Sequence, residues 1–132
     1  LTQGPVAVGE LGRAADYTMS VEAVRDCPVT GALAPKRGLV KVGLDVALEG
    51  TSAREVPANA FYASLRSLAG EAYSGTLTGC EPALPSVRLT QGAKARGHVV
   101  FEVPRTAMNL ELRYAAPVIG GGVEELRFTI QR

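Results

Sequence analysis

The chain has no tryptophan, one histidine, two cysteines and an aromatic content of 5% over 132 residues. Aromatic platforms for stacking bases are therefore scarce. A formal net charge of +1 gives no sign of the basic stripe that a phosphate backbone calls for. A nucleic-acid partner is not expected. No apolar run approaches the ~20 residues of a membrane-spanning helix, and no signal-peptide pattern is present. Contact with a membrane is expected only through a lipid anchor lying upstream of Leu1. The first residue is not methionine, so a processed or trimmed chain is expected. No helix-length amphipathic segment, internal repeat, low-complexity tract or linker is found, and one domain spanning 1–132 is expected.

The two cysteines, Cys27 and Cys80, lie far apart and form no C-x-x-C pair. Three readings are open. A disulfide suits an exported domain. Two buried free thiols would behave as small apolar side chains. A metal site would need more ligands than His98 and two thiolates supply, so carboxylates would have to help. The disulfide is the reading carried forward.

What the chain has in quantity is period-two alternation, the mark of strands with one buried face. Val40, Val42, Leu44, Val46 and Leu48 alternate with Lys41, Gly43, Asp45 and Ala47. Val99, Phe101 and Val103 form a second such set, with Met108, Leu110, Leu112 and Tyr114 a third and Leu126, Phe128 and Ile130 a fourth. Weaker sets are Tyr17, Met19, Val21 and Ala23, then Phe61, Ala63 and Leu65, then Val87 and Leu89. Seven strands follow, with "GPVAVGE" as an eighth. Pro and Gly punctuate the gaps, as turns require. Many short strands at this spacing predict an all-β, immunoglobulin-like antiparallel sandwich. Val42, Leu44, Val46, Phe101, Val103, Leu110, Leu112 and Phe128 are expected in its core. Lys41, Asp45, Glu111 and Arg127 are expected to be wet.

The stretches "GLVKVGLDVALEGTSAREVPANAFYASLRSLAGEAYS" and "VRLTQGAKARGHVVFEVPRTAMNLELRY" resemble the bacterial DUF4352 domains over residues 38 to 115. Gly92, Gly97, Phe101, Pro104 and Tyr114 carry most of the resemblance. The chain departs from the pattern at Gly50, where Asn is usual, and at Ser67 or Leu68, where an acidic residue is usual. The resemblance implies an immunoglobulin-like sandwich akin to a secreted mycobacterial antigen, in exported proteins and lipoproteins. It implies no activity. The residues themselves give the pattern a physical sense. Gly92 can take positive φ in a turn, Gly97 admits a close backbone approach, and Pro104 ends a ladder.

Candidate chemistry is sparse. His98 is expected to point outward, without the nucleophile and orienting acid that catalysis needs. Glu124 and Glu125 are adjacent and face opposite sides. Glu102 and Glu111 point outward and would form surface ion pairs. Gly120–Gly122 precede a strand, not the helix of a phosphate loop. No EF-hand spacing is present. No enzyme, cofactor or metal is expected. The expectation is an exported module, in the periplasm, on the cell surface or outside the cell. It would bind an envelope protein or its own copy through edge strands or the loops "CPVTGALAPKRG" and "SGTLTGCEPALPS". The alternative is a secreted small-ligand- or metal-handling domain.

Overall fold

The computed structural model describes residues 4–132. Leu1–Gln3, where the processed start was expected, lie outside them. The longest alternating runs build the longest strands. β4 (Leu39–Gly50) pairs antiparallel with the whole of β10 (Lys94–Pro104), from Glu49 opposite Lys94 to Leu39 opposite Pro104. β3 (Tyr17–Asp26) lies on the other side of β4. β2 (Leu11–Arg13) and β8 (Gly75–Thr76) form the edges of this sheet, in the order β2-β3-β4-β10-β8. The facing sheet runs β1 (Val6–Ala7), β12 (Gly122–Gln131), β11 (Asn109–Val118), β6 (Ala63–Ser67) and β7 (Ala72–Tyr73). A ribbon of β5 (Val56–Ala58) and β9 (Val87–Leu89) completes the strands.

The two sheets share one core, as sandwiches must. All eight residues expected there are buried: Val42, Leu44, Val46, Phe101 and Val103 from one sheet, and Leu110, Leu112 and Phe128 from the other. The fold is an immunoglobulin-like antiparallel β-sandwich. Among the described residues, its one parallel strand pair is β1 with β12. "GPVAVGE" thus supplies a short strand. β10 stops at Pro104, which has no N–H to extend the ladder.

Several face assignments fail for identifiable reasons. Glu22 is a bulge: Val21 faces Val46, but Ala23 faces Asp45 and Val24 faces Leu44. One extra residue turns the rest of β3 over, so Val24 packs on the core in place of Ala23. Phe61, expected inward, lies in a 3-10 turn (Ala60–Tyr62) before β6 and is exposed. Met108 precedes β11 and is exposed, and Val87 is exposed on the outer ribbon. Lys41 and Asp45 point outward from the core as expected but are not wet. Glu111 and Arg127 are half-buried.

Candidate functional site

Outward side chains of β4 and β10 would meet water if nothing crossed them. A loop does cross them. β3 runs directly into Cys27, and the segment after β8 brings Cys80 to the same place. The two are joined, with Cα atoms 5.0 Å apart at a sequence separation of 53. The bridge sits on Gly43, where an added Cβ would lie 2.6 Å from Cys27 Sγ and 2.8 Å from Cys80 Sγ. Only glycine leaves room there without a shift.

Three polar side chains are buried on this covered face: Lys41, Asp45 and His98, at 3%, 5% and 8% exposure. Lys41 Nζ donates to Thr78 Oγ1 at 2.6 Å and reaches Thr76 Oγ1 at 3.5 Å. Asp45 accepts from Arg96 Nε at 3.2 Å and Nη2 at 3.0 Å, with Arg25 3.8 Å away. The Arg96 hydrogen bonds hold the Asp45 carboxyl below its ordinary range, against the opposing effect of burial. His98, expected outward and exposed, is outward but covered. Its Nδ1 lies 2.9 Å from the Pro82 carbonyl oxygen, which can only accept, so Nδ1 carries the proton. Its Nε2 is buried with no hydrogen-bond partner among the described residues.

The other candidates are dispersed. Glu124 accepts from the Ala15 amide through both carboxylate oxygens, at 3.1 and 3.0 Å. Glu125 lies 3.7 Å from Arg113, on the other side of the strand. Glu102 and Glu111 stand on different sheets, and Arg113 engages Glu111. Gly120 and Gly121 turn β11 into β12. Among the described residues, no three His, Cys, Asp or Glu side chains gather as metal ligands would.

The surface also carries a groove of about 540 Å³. One wall is Asn59, Ala60, Phe61 and Ala63, the other is Gly75–Leu77, and the floor is Val99–Phe101. None of these ten residues is charged, in a chain that is 20% charged. Phe61 is 87% exposed and Leu77 is 93% exposed. Phe61 is nevertheless held firmly. The Tyr114 hydroxyl donates to Pro57 O at 3.1 Å and accepts from Asn59 N at 3.2 Å. Asn59 Oδ1 accepts from Phe61 N at 2.9 Å, and its Nδ2 donates to Ser86 Oγ at 3.0 Å. Edge-to-face ring contacts run from Phe61 to Tyr62, then to Tyr114, then to Tyr17 in the core. Burial pushes the Tyr114 phenol up to about 12. The groove can bind apolar surface; it presents no group that could move a proton at neutral pH.

A family model for a domain of unknown function, DUF4352, matches residues 6–124. The chain belongs to that family. No curated protein matches this DUF4352 domain significantly in sequence. Solved structures do share its fold. The Bacillus subtilis protein ycdA, a candidate lipoprotein, superposes with a TM-score of 0.80 at 14% identity; the match covers 98% of this chain and 39% of that one. The domain thus spans about two-fifths of ycdA. The yjhA protein of the same organism gives a TM-score of 0.71 at 13% identity, over 96% of this chain and 99% of that one. The secreted Mycobacterium tuberculosis protein MPT63 gives 0.61 at 14% identity, over 99% and 100%.

Sequence reasoning brought out Cys27 and Cys80 but missed the groove. Phe61 was assigned to the core by alternation, and Leu77 was given no role. The available signal was Asn59 two residues before Phe61. An Asx side chain that accepts from the backbone two residues on marks a turn and breaks the alternation.

Proposed function

We propose that this DUF4352 domain is an exported, non-enzymatic binding or assembly module of the bacterial cell envelope, which docks on protein through the groove beside Phe61. The observation that carries this reading is a large aromatic side chain held almost fully in solvent by a hydrogen-bonded turn, beside a groove without charge. An exposed apolar patch on a rigid support is the usual form of a contact surface. Leu77 opens the Cys80-bearing loop directly after β8, so the bridge that clasps this loop to Gly43 also steadies one wall. The disulfide supports export, since such bonds persist outside the reducing cytosol. The lipoprotein and secreted descriptions of two fold neighbours support the same compartment. Asp45 is engaged in structural bonds with Arg96, Lys41 with Thr78 and His98 Nδ1 with the Pro82 carbonyl, which leaves His98 Nε2 as the one buried side-chain polar atom without a partner among the described residues.

The test is fractionation of native cells, followed by crosslinking and purification of the tagged chain. The expected result is an extracytoplasmic chain with no alkylatable thiol, crosslinked to protein in a manner that Phe61→Ser abolishes. A chain that keeps a reproducible metal or organic ligand, with crosslinks indifferent to Phe61→Ser, would favour ligand handling instead.

A further inference from the structure

We propose that the Cys27–Cys80 bridge is a redox latch. A dithiol that opens it frees the strap 77–84 from the outer face of β4 and β10, and loosens the groove wall that Leu77 forms. The consequence for docking rests on the reading above; the latch itself does not.

Three observations point to a latch. First, apart from the bridge the strap is lightly held. Leu84 is its one side chain in the hydrophobic core, whereas Leu77, Glu81, Pro82 and Ala83 are exposed. Its backbone is tied to β10 at His98, whose N–H donates to Pro82 O at 2.8 Å and whose carbonyl accepts from Leu84 N at 3.0 Å. β4 and β10, by contrast, face each other through eleven register pairs, so the sandwich can stay whole without the strap. Second, the closed strap covers groups that water would hold better, with Thr78 over Lys41 and Pro82 over His98. The Lys41 ammonium is bonded to the Thr76 and Thr78 hydroxyls, and among the described residues no carboxylate pairs with it. His98 Nε2 has no partner among them. A buried cation with neutral partners and a buried ring nitrogen with none both favour a state in which water reaches them. The bridge opposes that opening. Third, the two ends of the bridge differ. Cys27 is 4% exposed, and its N–H donates to Lys41 O at 2.8 Å, which fixes it to β4. Cys80 is half-buried and lies on the strap. A thiolate therefore has its access at Cys80 Sγ. The new S–S bond forms there as the Cys27–Cys80 bond breaks, and the electron pair leaves on Cys27 Sγ, which takes up a proton. The second thiolate of the dithiol then attacks its partner sulfur in the mixed disulfide, and Cys80 leaves and is protonated. Two electrons pass to the protein, and the dithiol, having lost two protons, ends as a disulfide.

Amide exchange of the intact chain, followed residue by residue by NMR with and without dithiothreitol, is the test. Reduction should speed exchange at His98 and Leu84 at least about tenfold more than at the amides of β11 and β12. An equal rise everywhere, a reduced chain that unfolds as a whole, or no rise at all overturns the latch. The force that opens the strap has its own readout. Lys41→Met removes the buried charge and keeps an apolar stem. In the reduced chain it should bring the His98 and Leu84 rates at least about threefold back toward their oxidised values. If this variant melts early while oxidised, Lys41→Gln replaces it. Rates indifferent to the loss of charge overturn the proposal, because a bridge that merely staples the strap would give that result. Glutathione, a monothiol, should be trapped on Cys80, and an adduct on Cys27 overturns the assigned point of attack. In the envelope, Phe61-dependent crosslinks should weaken when Cys27 and Cys80 are both replaced by alanine. Undiminished crosslinks in that variant overturn the control over docking. Crosslinks that ignore Phe61 in the bridged chain overturn the docking reading and leave the latch standing.

Discussion

Phe101 shows how much a single position carries. Its ring is buried on the inner face of β10, forms the floor of the groove and is crossed by Gly75. Phe101→Ala removes its transfer free energy and leaves a cavity that the facing sheet cannot collapse to fill. A loss of about 3–5 kcal/mol is expected in urea unfolding, with an unchanged m-value. A loss under 1 kcal/mol would show that the groove floor relaxes freely. Phe101 was legible because Val99, Phe101 and Val103 recur at every second position, with Glu102 between the last two. Lys41, Asp45 and His98 were legible in direction and not in burial. Alternation reports which face a side chain takes, and it is silent about what later covers that face. The covering groups, Thr76 and Thr78 over Lys41, Arg96 over Asp45 and Pro82 over His98, come from separate segments with no shared periodicity.

At the scale of elements, strands of ten residues or more announce themselves, whereas of those of two or three only β1 and β9 were legible. β3, β4, β10, β11 and β12 each hold several alternations. β2, β5, β7 and β8 are too short to hold two. The bulge at Glu22 defeats the pattern in another way, because one inserted residue reverses every face after it. The clasp of the Cys80 loop onto β4 gives two linked predictions. Replacing Cys27 and Cys80 together with alanine should cost up to about 4 kcal/mol by the chain-entropy account of a loop of this length. Gly43→Ala should cost about 1–3 kcal/mol in the bridged protein, since its methyl group meets both sulfur atoms. In the Cys-free background the same substitution should be much milder. A double-mutant cycle by thermal or denaturant unfolding measures the difference, and strict additivity would mean that the bridge does not rest on Gly43.

For the molecule as a whole, Asp45 at the acid end and the buried phenols of Tyr17 and Tyr114 at the alkaline end bound the pH range of stability. The Asp45 carboxyl is held low when folded, so the unfolded chain takes up its proton first as pH falls through about 4. The stability it supplies is present above that point and is lost on further acidification. The Tyr114 phenol is raised to about 12, so above about pH 10 the unfolded chain releases a proton that the folded chain retains. Stability should therefore fall between pH 10 and 12. Denaturant midpoints across the pH scale should form a plateau with these two shoulders, and Asp45→Asn should soften the acid one. The sandwich also meets tension unevenly. β1 runs parallel to β12, with Val6 beside Phe128 and Ala7 beside Thr129. The chain therefore enters at one end of this pair and leaves at the other. A pull on its two ends drags the strands lengthwise past each other, loading their bonds together. Only two register pairs resist, against eleven between β4 and β10. Stretched between two attachment points, the molecule should first release its opening strand at low force and pay out slack. The sheets behind it would still be whole, and the first strand would act as a mechanical fuse.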